Sequence, residues 1–365
     1  MFSHNGKIST RQVTILLVLQ MFNINVLLLP KLSTYYVGRN GYILPIVAII
    51  IGILYVYCIT ILTMKFPNMT LVELTKSILP DWLAYILLII FTIKILVGTG
   101  LELRMFGEMI SQVMLPKTPI MVIMGIMLLT ASYLVKSGIE STARMGEVLV
   151  YVIFIPLIIV FIVIAVKADY RELLPFFQTN IESVGIGALN ISFSFIPLEF
   201  LLMMTGLMEK PKKARKVGIL AIVIVGILES IIILLTIAEI GLGETQRQIW
   251  PVIALMQSIG LNNSVVENQE VLMMVGWVLS IFMYLSSGLY FASLIGSRSC
   301  RFKRENVFVL PLVPIILFIA IWPRSLVQAY NWYLSFQYYF GIWFLIPIPL
   351  ILLLIAKIRR LGSEK

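Results

Sequence analysis

The sequence predicts an all-α polytopic membrane protein with ten transmembrane helices, and three observations carry that expectation. Of the 365 residues, 60% are hydrophobic and only 13% are charged, whereas a soluble domain carries about 25% charged residues. Apolar runs recur between short polar segments, and each is near the ~20 residues that a helix needs to cross a bilayer. Basic residues are also uneven: of 28 Lys and Arg, 19 fall in one alternating set of connections, 6 in the other, and only Lys31, Lys94 and Arg104 within spans. No segment is polar enough for a separate soluble domain, so residues 1–365 are expected to form one integral membrane domain.

The expected spans cover residues 10–36, 42–63, 83–112, 119–135, 146–166, 184–208, 217–240, 271–297, 307–322 and 337–356. Between the second and third, Phe66 to Trp82 is amphipathic and is expected to lie along the inner surface. Trp82, Trp250, Trp322 and Trp332, with Tyr330 and Tyr333, stand at span ends, where an interfacial aromatic belt is expected. The bias in Lys and Arg puts both termini in the cytoplasm. It also accounts for the net charge of +10 without a nucleic-acid partner, because basic inner loops face anionic lipid. A single histidine, His4, and two cysteines, Cys58 and Cys300, exclude a His/Cys metal cluster, a CxxC pair and a disulfide framework. No cofactor is expected, and both cysteines read as reduced thiols on the cytoplasmic side. Met1 to Ser9 is short and polar, so no signal peptide is expected before the first span.

Two spans read as broken. The first holds Asn23 and Asn25 at mid-membrane with Pro30 beyond them. An Asn amide in hydrocarbon must be bonded, and it can satisfy backbone groups freed where a helix unwinds. The sixth holds Ser192 and Ser194 before Pro197, and Glu199 just after it. Pro197 removes a backbone donor and strains the preceding turn. Interruptions at matching places in two five-helix halves, residues 10–166 and 184–356, point to a transporter-type site built from an inverted repeat.

Depth points to the same layer. Asn23 is 13 residues from Thr10, Lys94 is 12 from Trp82, Glu199 is 9 from Met208 and Tyr284 is 13 from Ser297. At ~1.5 Å per residue these groups lie ~14 to 20 Å deep, and Glu229 reaches the same level. Ionisable groups at that depth should face protein, water or a partner. Gly98 shares the face of Lys94, while Glu102 is rotated about 80° away and ~12 Å higher, which argues against Glu102 as its partner. Arg104 and Glu108 stand i,i+4 and are expected to form a structural ion pair. For Lys94 the alternatives are an ion pair with Glu199, or a ligand whose carboxylate meets Lys94 or freed amides and whose ammonium meets Glu199. An uncharged buried amine, or a side chain snorkelling to the surface, is the plainer option. The expected pocket is lined by Asn23, Asn25, Lys94, Gly98, Phe195, Ile196, Pro197, Glu199, Tyr284 and Ser287.

Four stretches carry a resemblance beyond hydropathy. KFPNMTLVEL (65–74), ELRMFGEMI (102–110), MEKPKKARK (208–216) and IWPVIALMQSIG (249–260) resemble, in order, parts of the bacterial spore-germination permeases. These are the membrane B-subunits of nutrient germinant receptors, a branch of the amino acid, polyamine and organocation transporter superfamily. The resemblance implies a LeuT-like five-plus-five inverted repeat with helices 1 and 6 broken. It further implies a complex with a larger A-subunit and a C-subunit lipoprotein in the inner membrane of the dormant spore. This chain has Asn23 and Asn25 where relatives commonly carry small glycines, which leaves open whether bare helix amides or these side chains grip a ligand.

Two functions share this fold and pocket. One is a sensor that binds an amino acid or similar small nutrient and signals to partner subunits; the other is a stand-alone proton- or sodium-coupled amino acid transporter. An enzyme is not expected, since no paired catalytic carboxylates, nucleophile elbow or metal-ligand cluster is present in the sequence.

Overall fold

A computed structural model describes residues 6–176, 179–258 and 269–361. His4, Lys365 and the last two residues of the 249–260 stretch therefore lie outside the described residues. Helices account for the secondary structure, and among the described residues there is no β-strand, only an isolated bridge between Ile8 and Met208.

Seven helices among the described residues are long and apolar enough to cross a membrane: Ile43–Thr63, Asp81–Val113, Ile139–Lys167, Ile181–Leu207, Pro211–Arg247, Met274–Ser299 and Leu326–Ile358. Two shorter apolar helices, Ile120–Lys136 and Val309–Ile321, stand beside them. The N-terminal segment is split into α1 (Thr10–Met21) and α2 (Leu29–Val37), because a 3-10 turn at Ile24–Leu27 intervenes. The remaining elements are α3 (Ile43–Thr63), α4 (Leu71–Ile78), α5 (Asp81–Val113), α6 (Ile120–Lys136) and α7 (Ile139–Lys167). There follow α8 (Ile181–Ile191), α9 (Leu201–Leu207), α10 (Ala214–Arg247), α11 (Pro251–Ser258) and α12 (Gln269–Ser299). The chain closes with α13 (Val309–Ile321), α14 (Leu326–Phe336) and α15 (Pro347–Ile358).

The sequence explains how these helices start and face. Ser9 and Gln12 form a capping box that opens α1, satisfying donors that a helix start leaves free. On α7, Val148, Tyr151, Ile155, Ile158, Ile162 and Val166 are exposed, while Gly146, Leu149, Ile153, Leu157, Phe161 and Ile164 are buried. Both faces are apolar at helical spacing, so the outer one is suited to lipid rather than water. At the centre α10 packs on α1, α2 and α3, while α5 packs on α12, α13 and α14. Gly288 of α12 sits where a Cβ would collide with the Thr99 hydroxyl of α5, so only glycine allows that approach.

Four expectations change. The fifth helix starts at Ile139 rather than residue 146, because Ile139, Thr142 and Ala143 are buried and Glu140 pairs with Arg144 at 3.2 Å. The last membrane segment starts at Leu326 rather than 337, with Leu326, Ala329 and Tyr333 buried against protein. Tyr333 is therefore not an interfacial anchor, and neither is Trp250, which is buried and donates to Gln112 Oε1 at 3.3 Å. Trp82 and Trp322 remain exposed. The amphipathic stretch after α3 does form a short helix, α4, but Leu71, Val72, Leu74 and Ile78 are buried against α5, α9, α12 and α15 rather than left for the surface. Arg298 fastens its start by donating to Glu73 at 2.9 Å and to Glu305 at 2.6 Å.

Candidate functional site

The first break is built by side chains that replace missing helix bonds. After Met21 the chain leaves α-helical geometry, and Asn23 Oδ1 accepts from the Asn25 amide at 3.0 Å and from Asn25 Nδ2 at 2.9 Å. Carbonyls freed behind it are taken up by α12, where the Ser280 hydroxyl donates to Leu19 O at 2.8 Å and also to Phe22 O. Asn25 Nδ2 donates further to Glu102 Oε1 of α5 at 2.8 Å and to the Tyr333 hydroxyl of α14 at 2.9 Å. One asparagine thus joins three elements at a place where unbonded polar groups are costly.

The second break is longer. Between α8 and α9, Ser192–Phe200 runs as a 3-10 segment with Pro197 inside it, and all nine of its residues are buried. Pro197 has no N–H to give to a helical ladder, which is the local reason for the change of winding. At its start the Tyr55 hydroxyl bonds Ser192 Oγ at 2.9 Å. Near its end Glu199 is ion-paired with Lys94 of α5, and both side chains are about 95% buried. The pair neutralises two charges that would each be expensive alone in low dielectric. The Phe344 ring lies 5.7 Å from Lys94 Nζ and so borders the pair.

Between the two breaks lies a cavity of about 20 Å³, lined by residues that include Asn25, Phe193, Ser194, Tyr330, Tyr333 and Gln337. That is room for about one water molecule, far below the roughly 300 Å³ and more of a ligand pocket. Several buried polar groups crowd around it: Asn23 Nδ2 and Glu102 Oε2 have no hydrogen-bond partner among the described residues, while Ser194 faces the buried carboxyl of Glu229 on α10 and Gln337 faces the Tyr333 hydroxyl. Buried polar groups are ordinarily bonded, so a cluster of spare donors and acceptors needs a reason. Here the donors and acceptors are mixed, as recognition of an ammonium and a carboxylate would require.

Of the residues expected in the site, the structure brings Lys94 to Glu199 and sets Gly98 against Tyr284, where a Cβ would lie 3.5 Å from the phenol oxygen. Asn23 and Asn25 form the first break, and Phe195, Ile196 and Pro197 are buried in the second. Ser287 is occupied differently: its hydroxyl accepts from Gln20 Nε2 at 2.6 Å, joining α12 to α1. Glu102, Tyr333, Ser194 and Gln337 were not expected in the site. Glu102 is not the partner of Lys94, in keeping with its rotation and rise along α5; it meets the first break instead, accepting from Asn25 Nδ2. A carboxylate in mid-span is itself a signal for a site. Arg104 and Glu108 pair at 2.7 Å on the C-terminal part of α5, away from the cavity lining.

Residues 7–329 match a family model described as "Spore germination protein". Over its whole length the chain is 25% identical to the whole of spore germination protein YndE of Bacillus subtilis (strain 168). It is 26% identical to spore germination protein A2 of the same organism, across 98% of both chains. Spore germination protein GerLB of Bacillus cereus is 22% identical across 97% of this chain and 95% of that one.

Proposed function

This chain belongs to the spore germination protein family, and on that premise we propose that it is the membrane subunit of a nutrient germinant receptor. It binds an amino acid or a similar small nutrient at mid-membrane and triggers germination through partner subunits, an A-subunit and a C-subunit lipoprotein. In this reading ten spans form a LeuT-like five-plus-five repeat in the inner membrane of the spore, with both termini cytoplasmic. The observation that carries the proposal is the meeting of the interrupted first helix and the 3-10 stretch of the sixth around the buried polar groups of Asn23, Glu102, Ser194 and Gln337. Unwound backbone at membrane depth is tolerated where it lines a cavity, and it supplies oriented amides and carbonyls to a zwitterion. The cavity of about 20 Å³ is the closed form, so a nutrient must part the two breaks to enter. That displacement is the event available for signalling, because a ligand shifts an equilibrium only by binding one state better.

The test is germination of spores from which all other nutrient receptors have been removed. With this chain and its partners present, one nutrient should elicit germination; deleting this chain alone should abolish it. Germination that persists after the deletion would refute the proposal. A second reading, a stand-alone proton- or sodium-coupled transporter, draws support from Glu229, a fully buried carboxyl on α10 with no ion-pair partner among the described residues, facing Ser194 of the second break. Vesicles holding this chain alone decide between them: ion-driven accumulation of an amino acid favours the transporter, and its absence beside a working spore response favours the receptor.

A further inference from the structure

Two grooves on the outside of the helix bundle run into each other. The first is bounded by Thr10, Arg11, Tyr151, Lys213, Lys216 and Leu220 and has a volume of about 470 Å³. The second, of about 430 Å³, is lined by Val18, Phe154, Ile158, Ile224, Ile227 and Leu228. They share Thr14, Ile15 and Val150, so they form one channel between α1, α7 and α10 with a basic head and an apolar body. The paired breaks do not use this surface.

We propose that this channel is a binding site for one anionic glycerophospholipid, its phosphate on Arg11, Lys213 and Lys216 and its acyl chain along the groove below. Charge complementarity names the occupant. Lys213 and Lys216 are exposed and in no ion pair among the described residues. Arg11 donates to the Tyr151 hydroxyl at 2.5 Å, which holds its guanidinium over the head of the channel. Glu147 lies 3.9 Å from Arg11 and also accepts from Gln12 at 3.2 Å; Lys213 and Lys216 have no such acid paired with them among the described residues, so the head carries net positive charge. Length fits as well. From Lys216 to Ile227 the helix rises ~16 Å, close to the ~15 Å of one leaflet's hydrocarbon. A basic pocket between helices is a known way to hold such a head group. The lipid would touch α1 just before the first break, and α10, which carries Glu229.

The test uses the purified full-length chain and native mass spectrometry, with phosphatidylglycerol and phosphatidylcholine of identical acyl chains supplied in equal amounts. One phosphatidylglycerol should remain bound in preference to phosphatidylcholine. A Lys213→Gln/Lys216→Gln variant should bind it about 10- to 30-fold more weakly. Ile227→Trp, which fills the groove and leaves the cations in place, should also weaken retention. Lys303→Gln/Arg304→Gln, which removes the same charge elsewhere, should leave it unchanged. Equal retention of both lipids would mean an ordinary lipid annulus and overturn the proposal. Displacement by an equal concentration of glycerol phosphate would mean a phosphate site and overturn it too. So would an undiminished preference in the Lys213→Gln/Lys216→Gln variant, or an equal loss in the control variant.

Discussion

Residues 22–28 and residues 192–200 both interrupt a helix in the interior, yet they are held in different ways. The first break is tied by directed hydrogen bonds from α5, α12 and α14, through Glu102, Ser280 and Tyr333. The second is longer and is enclosed mainly by apolar packing, with the Tyr55 hydroxyl on Ser192 at its start and the Glu199–Lys94 ion pair near its end as its polar ties. Hydrogen bonds weaken steeply with distance and angle. A break fixed by several of them moves as a unit with its neighbours. A break held mainly by packing, with a bond at one end and an ion pair near the other, has fewer angular constraints. If a nutrient binds here as proposed, the first break is the fixed wall and the second the part that yields.

The largest effect expected is on the ion pair. Lys94→Met or Glu199→Gln leaves one buried group unpartnered and should cost about 3 to 5 kcal/mol. Each should lower the amount of assembled protein on a quantitative immunoblot of spore membranes. The Lys94→Met/Glu199→Gln variant should recover part of that loss. A double variant no better than either single one would mean that the pair is not a tie of the second break.

A smaller effect is expected where the first break meets α5 and α14. Asn25→Ala removes donors to both Glu102 and Tyr333, and leaving a buried acceptor unsatisfied costs about 1 to 3 kcal/mol. In a double-mutant cycle of unfolding, Asn25→Ala and Tyr333→Phe should be non-additive, because each deletes the same bond. Additive losses would show that the asparagine does not join the two elements. Ser280→Ala should be milder still, about 0.6 kcal/mol and at most about 1.7, the range for polar side chains between membrane helices. A loss comparable to that of Lys94→Met would reverse the ranking of the two breaks.

How far the sequence could be read follows from what each signal measures. Hydropathy and helical period locate segments that face lipid, so the seven long apolar helices were legible, and Asn23, Pro30 and Pro197 marked where winding changes. Polar groups spaced by depth brought Lys94 and Glu199 to one level, because the helices bearing them were counted over short distances from their ends. The same spacing keeps Glu102 away from Lys94, but it says nothing of Asn25, which reaches Glu102 from another element. Tyr333 and Trp250 were misread for another reason. An aromatic ring with a polar tip suits an interface, but it equally suits a buried place with a partner for that tip, as Asn25 and Gln112 provide. Which of the two applies depends on tertiary neighbours that spacing does not reveal. The burial of α4 was hidden in the same way, since an amphipathic face packs against protein as readily as against a surface.

The central claim is that a nutrient lodges between the fixed break and the yielding one, beside the Gly98 face of α5. Gly98→Phe tests it most directly, because a Cβ there lies 3.5 Å from the Tyr284 phenol and a benzyl group would project into the space a ligand needs. The measurement is nutrient-triggered germination of spores carrying this receptor alone, with receptor abundance followed in parallel. The account predicts normal abundance and loss of the nutrient response. Normal abundance with an unchanged response would contradict it.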